Sequence, residues 1–222
     1  FEMRDLNQLI IKFNYENNFK DDDFYVSKSN KNIFDLINSW PRWEKNFLNI
    51  SGKKLSGKSH LVSIFLNKFK GIKFQAKLFN NDDLKQIKLY QNIVVEDLDK
   101  EIDEKLFYTL FNIIDQDNKY LIVTTIDPIV NFKFELDDLN SRSKNFLLQN
   151  IEKPDDELIF ALLLKNLSDR QISLEKKLID YIIKKIDRSY DKIFDFIYKI
   201  DEVSLKKKKP IDLKIIKEVL GE

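Results

Sequence analysis

The run from Asn46 to Leu61, NFLNISGKKLSGKSHL, constrains the fold more than any other stretch of this chain. Phe47 to Ile50 has the apolar run of a short buried strand. Gly52 to Ser59 fits the pattern G-x-x-x-x-G-K-[ST] of a phosphate-binding loop. Leu61, Ile64, Phe65 and Phe69 then recur at helical spacing. Strand, glycine loop and helix in that order are the context the motif needs, and they argue against a chance match in a lysine-rich chain. Glycines let the backbone wrap an anion, and a helix start aims free N–H groups at it. Gly52, Ser56, Gly57, Lys58 and Ser59 are therefore candidate nucleotide-binding residues, with Lys58 on the outer phosphates and the Ser59 hydroxyl on Mg²⁺. His60 joins them by position, in a packed or capping role rather than a catalytic one. Leu55 stands where many such loops carry a further glycine, which predicts weakened or altered phosphate binding.

A second acidic feature lies downstream at the right order. Ile93, Val94 and Val95 form a continuous apolar strand, as in a parallel sheet buried on both faces, and it ends in Glu96-Asp97. Carboxylates at the end of a buried strand, facing a phosphate loop, suit a metal-holding acid (Glu96) and a water-orienting acid (Asp97). Alone they read more readily as solvated strand-end carboxylates; the phosphate loop upstream, at the right order and distance, favours the functional reading. Asp99 is expected to cap a helix starting near Glu101. Lys119 to Thr125 is another strand, whose terminal Thr124 and Thr125 either touch a phosphate or simply close the strand. Ser27 or Ser29-Asn30 is expected to cap a helix through Trp40; Ile72 to Ala76 and Phe146 to Ile151 complete the strands.

The bulk numbers set limits on the function. The chain has 222 residues, 43% of them hydrophobic, with 18 Phe, enough for a sizeable core. Net charge is only +1 despite 34% charged residues, so no global basic footprint for nucleic acid exists. Cysteine is absent, which excludes disulfides and thiol chemistry and fits a reducing, cytoplasmic setting. No apolar run approaches the roughly 20 residues of a membrane span, and no membrane role is expected.

Two flanking regions carry alternatives. In the polar segment before Asp23 lies the island Gln8-Leu-Ile-Ile-Lys-Phe13. It reads either as a strand laid on the core or as a peptide ligand on a flexible arm. In the second reading Gln8, Leu9, Ile11 and Phe13 resemble the motif by which bacterial replication proteins bind the sliding clamp. Beyond Pro154 the pattern is purely helical, and Lys206 to Lys209 is its one dense basic cluster. That cluster is either a nucleic-acid contact or, more commonly, a solvated loop.

Taken together, the glycine loop followed by Lys-Ser-His-Leu, then Ile-Val-Val-Glu-Asp, a strand ending Thr-Thr, Leu-x-Asp-Leu-x-Ser-Arg and Pro-Asp-Asp resemble the DnaA/Hda-related AAA+ family over about Asp23 to Leu220. The resemblance implies an α/β fold: a P-loop AAA+ nucleotide-binding domain with a parallel sheet (23–152), followed by a small all-helical lid (153–222) and preceded by an arm (1–22). It implies ADP or ATP with Mg²⁺ as ligands. Arg142 falls on the arginine finger presented to a neighbour's nucleotide, and in isolation reads as a surface ion pair. Lys192 falls where the lid normally offers an arginine to the phosphates. The arm's motif, and the expectation of no room for a DNA-binding domain after the lid, point to the Hda type. Its implied partners are the DnaA initiator and the sliding clamp, with DNA met only through the clamp and a homodimer left open. Leu55, Glu96 in place of the usual Asp and Lys192 predict weak turnover of its own, with ADP bound at least as well as ATP. A stand-alone ATPase or helicase loader is the alternative, and an initiator-like nucleic-acid binder a third.

Overall fold

The computed structural model describes residues 24–207 and 210–221. Gln8, Leu9, Ile11 and Phe13, and with them the clamp-binding expectation, lie outside the described residues, as do Lys208 and Lys209.

Three strands form the centre of a five-stranded parallel sheet: β1 (Phe47–Ser51), β3 (Asn92–Glu96) and β4 (Tyr120–Thr125). They carry continuous apolar runs because both of their faces are covered. β2 (Ile72–Gln75) and β5 (Leu147–Asn150) form the edges, and there burial alternates residue by residue. The order is β2-β3-β4-β1-β5, with Ser51 paired to Thr125 and Val95 to Val123. β4 thus lies between the strand that feeds the phosphate loop and the strand that ends in the acids. Parallel neighbours need crossovers, and the helices supply them.

One face of the sheet is covered by α1 (Lys31–Asn38) and α2 (Lys58–Phe69). Ile33, Ile37, Leu61, Val62 and Phe65 pack on Leu48, Ile50, Val94 and Ile122. The other face is covered by α4 (Glu104–Gln116), whose Leu106, Phe107, Leu110, Phe111 and Ile114 meet Phe47, Ile93, Val95, Leu121 and Val123. Each fully buried Phe or Leu here stabilises the fold by about 1.5–3 kcal/mol. Two short helices fill the connections: α3 (Asn81–Ile87) after β2, and α5 (Asp137–Arg142) before β5. The turn expected at Asn80 starts α3, with Asn80 and Asp83 forming a reciprocal capping box.

Local chemistry moved one helix start and left another without its expected side-chain cap. Asp99 accepts a hydrogen bond from the Glu101 amide at 2.9 Å, yet α4 begins only at Glu104, where Asp103 accepts from the Leu106 amide at 3.1 Å. Asp99 therefore holds a turn and Asp103 is the cap. α1 follows Asn30, whose side chain does not cap it. The Asn30 amide instead braces the preceding chain, accepting from the Ser27 amide and donating to the Tyr25 carbonyl, both at 2.9 Å.

After β5 the chain is helical: α6 (Asp156–Asp169), α7 (Lys176–Lys185), α8 (Tyr190–Lys207) and α9 (Leu213–Leu220). Asp155 and Asp212 cap α6 and α9 through the Leu158 and Ile215 amides. Ile159, Leu163, Ile182, Ile193, Ile197 and Ile216 form a separate core. Leu158 and Tyr190 belong to the sheet-side cluster, so the two bodies are joined by apolar packing at the lid entrance. Within the basic run, Lys206 pairs with Glu202 and Lys207 with Glu218, both at 2.6 Å, which is the solvated-surface arrangement. Among the described residues, no helix is long and apolar enough to cross a membrane.

Candidate functional site: a phosphate loop facing two acids

The loop between β1 and α2 turns twice through left-handed backbone. Gly57, immediately before α2, has φ 94°, and Leu55 has φ 65°. Gly57 suits its position because it lacks a Cβ; Leu55 adopts an αL conformation that costs a side-chain-bearing residue roughly 1–2 kcal/mol. The Leu55 side chain is 56% exposed, so it does not fill the loop. The departure from glycine is thus accommodated in backbone strain rather than by closing the pocket.

Lys58, the first residue of α2, is 7% exposed. Its ammonium donates to the loop's own carbonyls, Gly52 O at 2.6 Å and Lys53 O at 3.0 Å. Burial pushes its pKa below the usual lysine value, and the charges of Asp97 and Glu96 oppose that shift. Lys58 and both acids therefore share one electrostatic environment, as the order of motifs requires. Ser59 follows on the first turn of α2. Its neighbour His60 meets the Phe24 ring edge-on at 5.2 Å, a packed placement. The Ser56 hydroxyl is buried with no hydrogen-bond partner.

Glu96 ends β3 on the same face as Val94, the face that carries α2. Its side chain is 2% exposed. Oε2 accepts from Lys73 at 3.0 Å and from Gln75 Nε2 at 3.3 Å, both on the edge strand β2, while Oε1 has no partner. Asp97 next turns through φ 54°, a conformation Asp tolerates better than most residues. Its amide donates to Thr124 Oγ1 at 2.9 Å, and the Leu98 amide donates to Thr124 O at 2.8 Å. Thr124 thus pins the acidic turn onto β4. Thr125 Oγ1 accepts from Asn49 Nδ2 at 2.9 Å, and Asn49 Oδ1 accepts from the Ile129 amide at 2.9 Å. One buried amide from β1 thereby positions both the end of β4 and the loop that follows it.

The donor set suits a hard divalent cation: a hydroxyl at Ser59 and a carboxylate at Glu96 with one oxygen unclaimed. Among the described residues, no group of three or more His, Cys, Asp or Glu could hold an ion by itself. A cation here would draw its other ligands from phosphate and water, as Mg²⁺ does.

The two remaining candidate residues lie elsewhere in the fold. Arg142, at the end of α5, is 28% exposed. It donates to Asp115 Oδ2 at 2.5 Å and Asn112 Oδ1 at 3.0 Å, and lies over the Tyr108 ring at 5.3 Å, all on α4. Lys192 is exposed on the first turn of α8. The segment before α1 bridges loop and lid. Phe24 packs by His60, Tyr25 OH donates to Glu157 Oε1 at 2.7 Å, and the Ser29 amide donates to Asp155 Oδ2 at 3.3 Å.

Lys73, Gln75 and Asn49 were not among the candidates from sequence. The alternation of residues 72–76 placed Lys73 and Gln75 on one face of a strand, but nothing local said that this strand would lie beside β3.

Comparison with known proteins extends this picture. Residues 155–220 match the family described as "Hda, lid domain". The chromosomal replication initiator protein DnaA of Thermoanaerobacter sp. (strain X514) is 26% identical over 227 residues, covering 90% of this chain and 51% of that protein. The chain thus spans about half the length of the curated relative it matches. Domain III of the Thermotoga maritima replication initiation protein DnaA superposes with a TM-score of 0.70 at 18% identity, covering 92% of this chain and 96% of that one. AMPPCP-bound DnaA from Aquifex aeolicus superposes with a TM-score of 0.65 at 21% identity, over 83% and 68% of the two chains. With the parallel sheet, the phosphate loop facing its acids and the lid match all in place, this chain is similar to the DnaA initiators over most of its length and to the Hda lid domain over residues 155–220.

Proposed function

We propose that this protein is an Hda-type regulator of replication initiation, which binds ADP or ATP and promotes hydrolysis of ATP held by the DnaA initiator. The observation that carries the reading is the lid: residues 155–220 match the Hda lid domain, on a chain whose phosphate loop and acids are assembled. Gly52, Ser56 and Gly57 form the loop, and Lys58 leaves its carbonyls for the outer phosphates. Ser59 and the free Oε1 of Glu96 would hold Mg²⁺, which would neutralise charge on the phosphates. Asp97 orients water, His60 packs at the start of α2, and Lys192 approaches the nucleotide from the lid. That an initiator of the same family is known bound to AMPPCP supports an adenine nucleotide here.

Arg142 acts in trans, spreading positive charge over the phosphoryl group of DnaA-bound ATP. In the free protein it is held by Asp115 and Asn112. A half-exposed ion pair of this kind is worth up to about 1 kcal/mol, so exchanging it for a partner's phosphate is inexpensive. Gln8, Leu9, Ile11 and Phe13 dock the protein on the sliding clamp, and DNA is met only through that clamp.

Two measurements test the reading. Calorimetry should show ADP binding at least as tightly as ATP, weakened more than about tenfold by Lys58→Ala. Phosphate release from ATP-loaded DnaA, with clamp loaded on DNA, should rise on adding this protein. The rise should be lost in Arg142→Ala and barely restored by Arg142→Lys, whose point charge lacks the planar fork. Deleting residues 3–13 should abolish clamp capture. Steady turnover by this protein alone, with no effect on DnaA, would instead favour the stand-alone ATPase.

A further inference from the structure

The buried acid of the phosphate site already has a cation. Glu96 is 2% exposed at its side chain, and its Oε2 is held by the Lys73 ammonium at 3.0 Å and by Gln75 at 3.3 Å, leaving Oε1 without a partner. Lys73 and Gln75 stand two residues apart on edge strand β2, so both project to one face, and the register pairs Gln75 with Glu96 across the ladder. The geometry is built in: no rearrangement of the sheet is needed to bring the ammonium to the carboxylate.

We propose that Lys73 is a resident cation of this nucleotide site, neutralising Glu96 through Oε2 while Oε1 stays open to Mg²⁺ and making nucleotide binding nearly independent of divalent metal. This inference rests on the nucleotide-binding reading above and deepens it.

Three physical points carry it. A carboxylate with this little solvent contact is stable as an anion only beside a compensating charge, and Lys73 supplies one. With that pair neutral, the remaining local charges that act on each other, Lys58 and Asp97, also balance, so the site holds little net negative charge to attract a divalent ion before nucleotide arrives. The Lys73 side chain is 41% exposed, so its ammonium can swing to solvent. Mg²⁺ can therefore join Glu96 at the free Oε1 rather than being locked out. A phosphate tail held by Lys58 and the amides at the start of α2 needs no metal to be retained, whereas in-line attack benefits from one. A lysine that neutralises Glu96 without touching the phosphates accordingly favours holding nucleotide over turning it over.

The test is ADP titration of the whole protein by calorimetry, in millimolar Mg²⁺ and again in excess EDTA, for the wild type, Lys73→Met and Lys73→Arg. The wild type should bind ADP with affinities within about threefold of each other in the two buffers, less than the 1.4 kcal/mol that a tenfold change represents. Lys73→Met should lose at least about tenfold in EDTA and regain it with Mg²⁺, because the metal then supplies the positive charge that Lys73 no longer gives Glu96. Lys73→Arg keeps the charge and should stay metal-insensitive. If Lys73→Met is too unstable to titrate, the wild-type pair of titrations decides alone. Wild-type binding weaker by about tenfold or more in EDTA, or metal dependence equal in wild type and Lys73→Met, overturns the inference and leaves nucleotide binding standing. No ADP binding by the wild type in either buffer overturns the nucleotide reading itself and the inference with it.

Discussion

Gly57→Ala and Leu55→Gly perturb the same phosphate loop in opposite directions. Gly57 sits at φ 94°, and a Cβ built on it would come within 3.3 Å of Phe24 Cε2. The left-handed backbone costs an alanine about 1–2 kcal/mol, and the ring must give way by a few tenths of an ångström. Alanine also narrows the unfolded ensemble, which returns about 0.4–1 kcal/mol. The net expectation is a loss of about 0.5–1.5 kcal/mol, or a few degrees in thermal midpoint for a chain of this size. Leu55 at φ 65° already bears that strain. Its exposed side chain contributes little burial, so Leu55→Gly relieves about 1–2 kcal/mol against about 0.4–1 kcal/mol of added unfolded-state entropy. Stability should be unchanged or higher by up to about 1.5 kcal/mol. Thermal unfolding without ligand reads both effects, and ADP titration shows whether the relaxed loop binds more tightly. A Gly57→Ala protein as stable as the wild type, or a Leu55→Gly protein destabilised by more than about 1 kcal/mol, would falsify the reasoning that backbone strain in this turn is what the two side chains report.

Other predictions follow from buried polar groups. Asn49 is fully buried and serves Thr125 and Ile129; Asn49→Leu strands the Ile129 amide and should cost about 2–4 kcal/mol in urea unfolding, with a cost below about 1 kcal/mol contradicting the assigned bonds. Tyr190 donates to the Glu152 carbonyl at 3.1 Å. Burial pushes its phenol up to about 12, with the Asp155 charge adding to the rise and the Ser29 hydrogen bond opposing it. The folded state keeps a proton that the unfolded chain has released above its ordinary value near 10, so this contribution is intact below pH 10 and fades as pH rises toward 12. By pH 11 the wild type should have lost about 1.4 kcal/mol that Tyr190→Phe does not lose, read as the difference between their urea midpoints at pH 9 and 11. Equal alkaline losses would show that the phenol is not held as described.

Much of the nucleotide site could be read along the chain because its parts are contiguous. The strand, loop and helix from Phe47 to Phe69 are local, and so is the run that ends in Glu96-Asp97. The continuous apolar run before Glu96 implied a parallel sheet, with loop and acids at the carboxyl ends of its strands, and the lid match at 155–220 agrees with the helical pattern after Pro154. Helix starts were less legible. Asp99 and Asp103 are both competent caps, and the choice between them depends on where α4 must begin to bury Leu106 and Leu110.

Some features lay beyond local reading because they join residues far apart. Arg142 and Asp115 are 27 positions apart, Glu96 and Lys73 are 23, and their pairing exists only because the sheet sets β2 against β3 and α5 packs beside α4. Sequence by itself determined that this chain would build a phosphate loop, two acids and a helical lid, since each is written in a short span of local preferences. Only the tertiary structure decided what each charge faces. Long-range packing chooses neighbours by burial and register, and that choice gave Glu96 a lysine, Arg142 an aspartate and Lys58 the loop's own carbonyls.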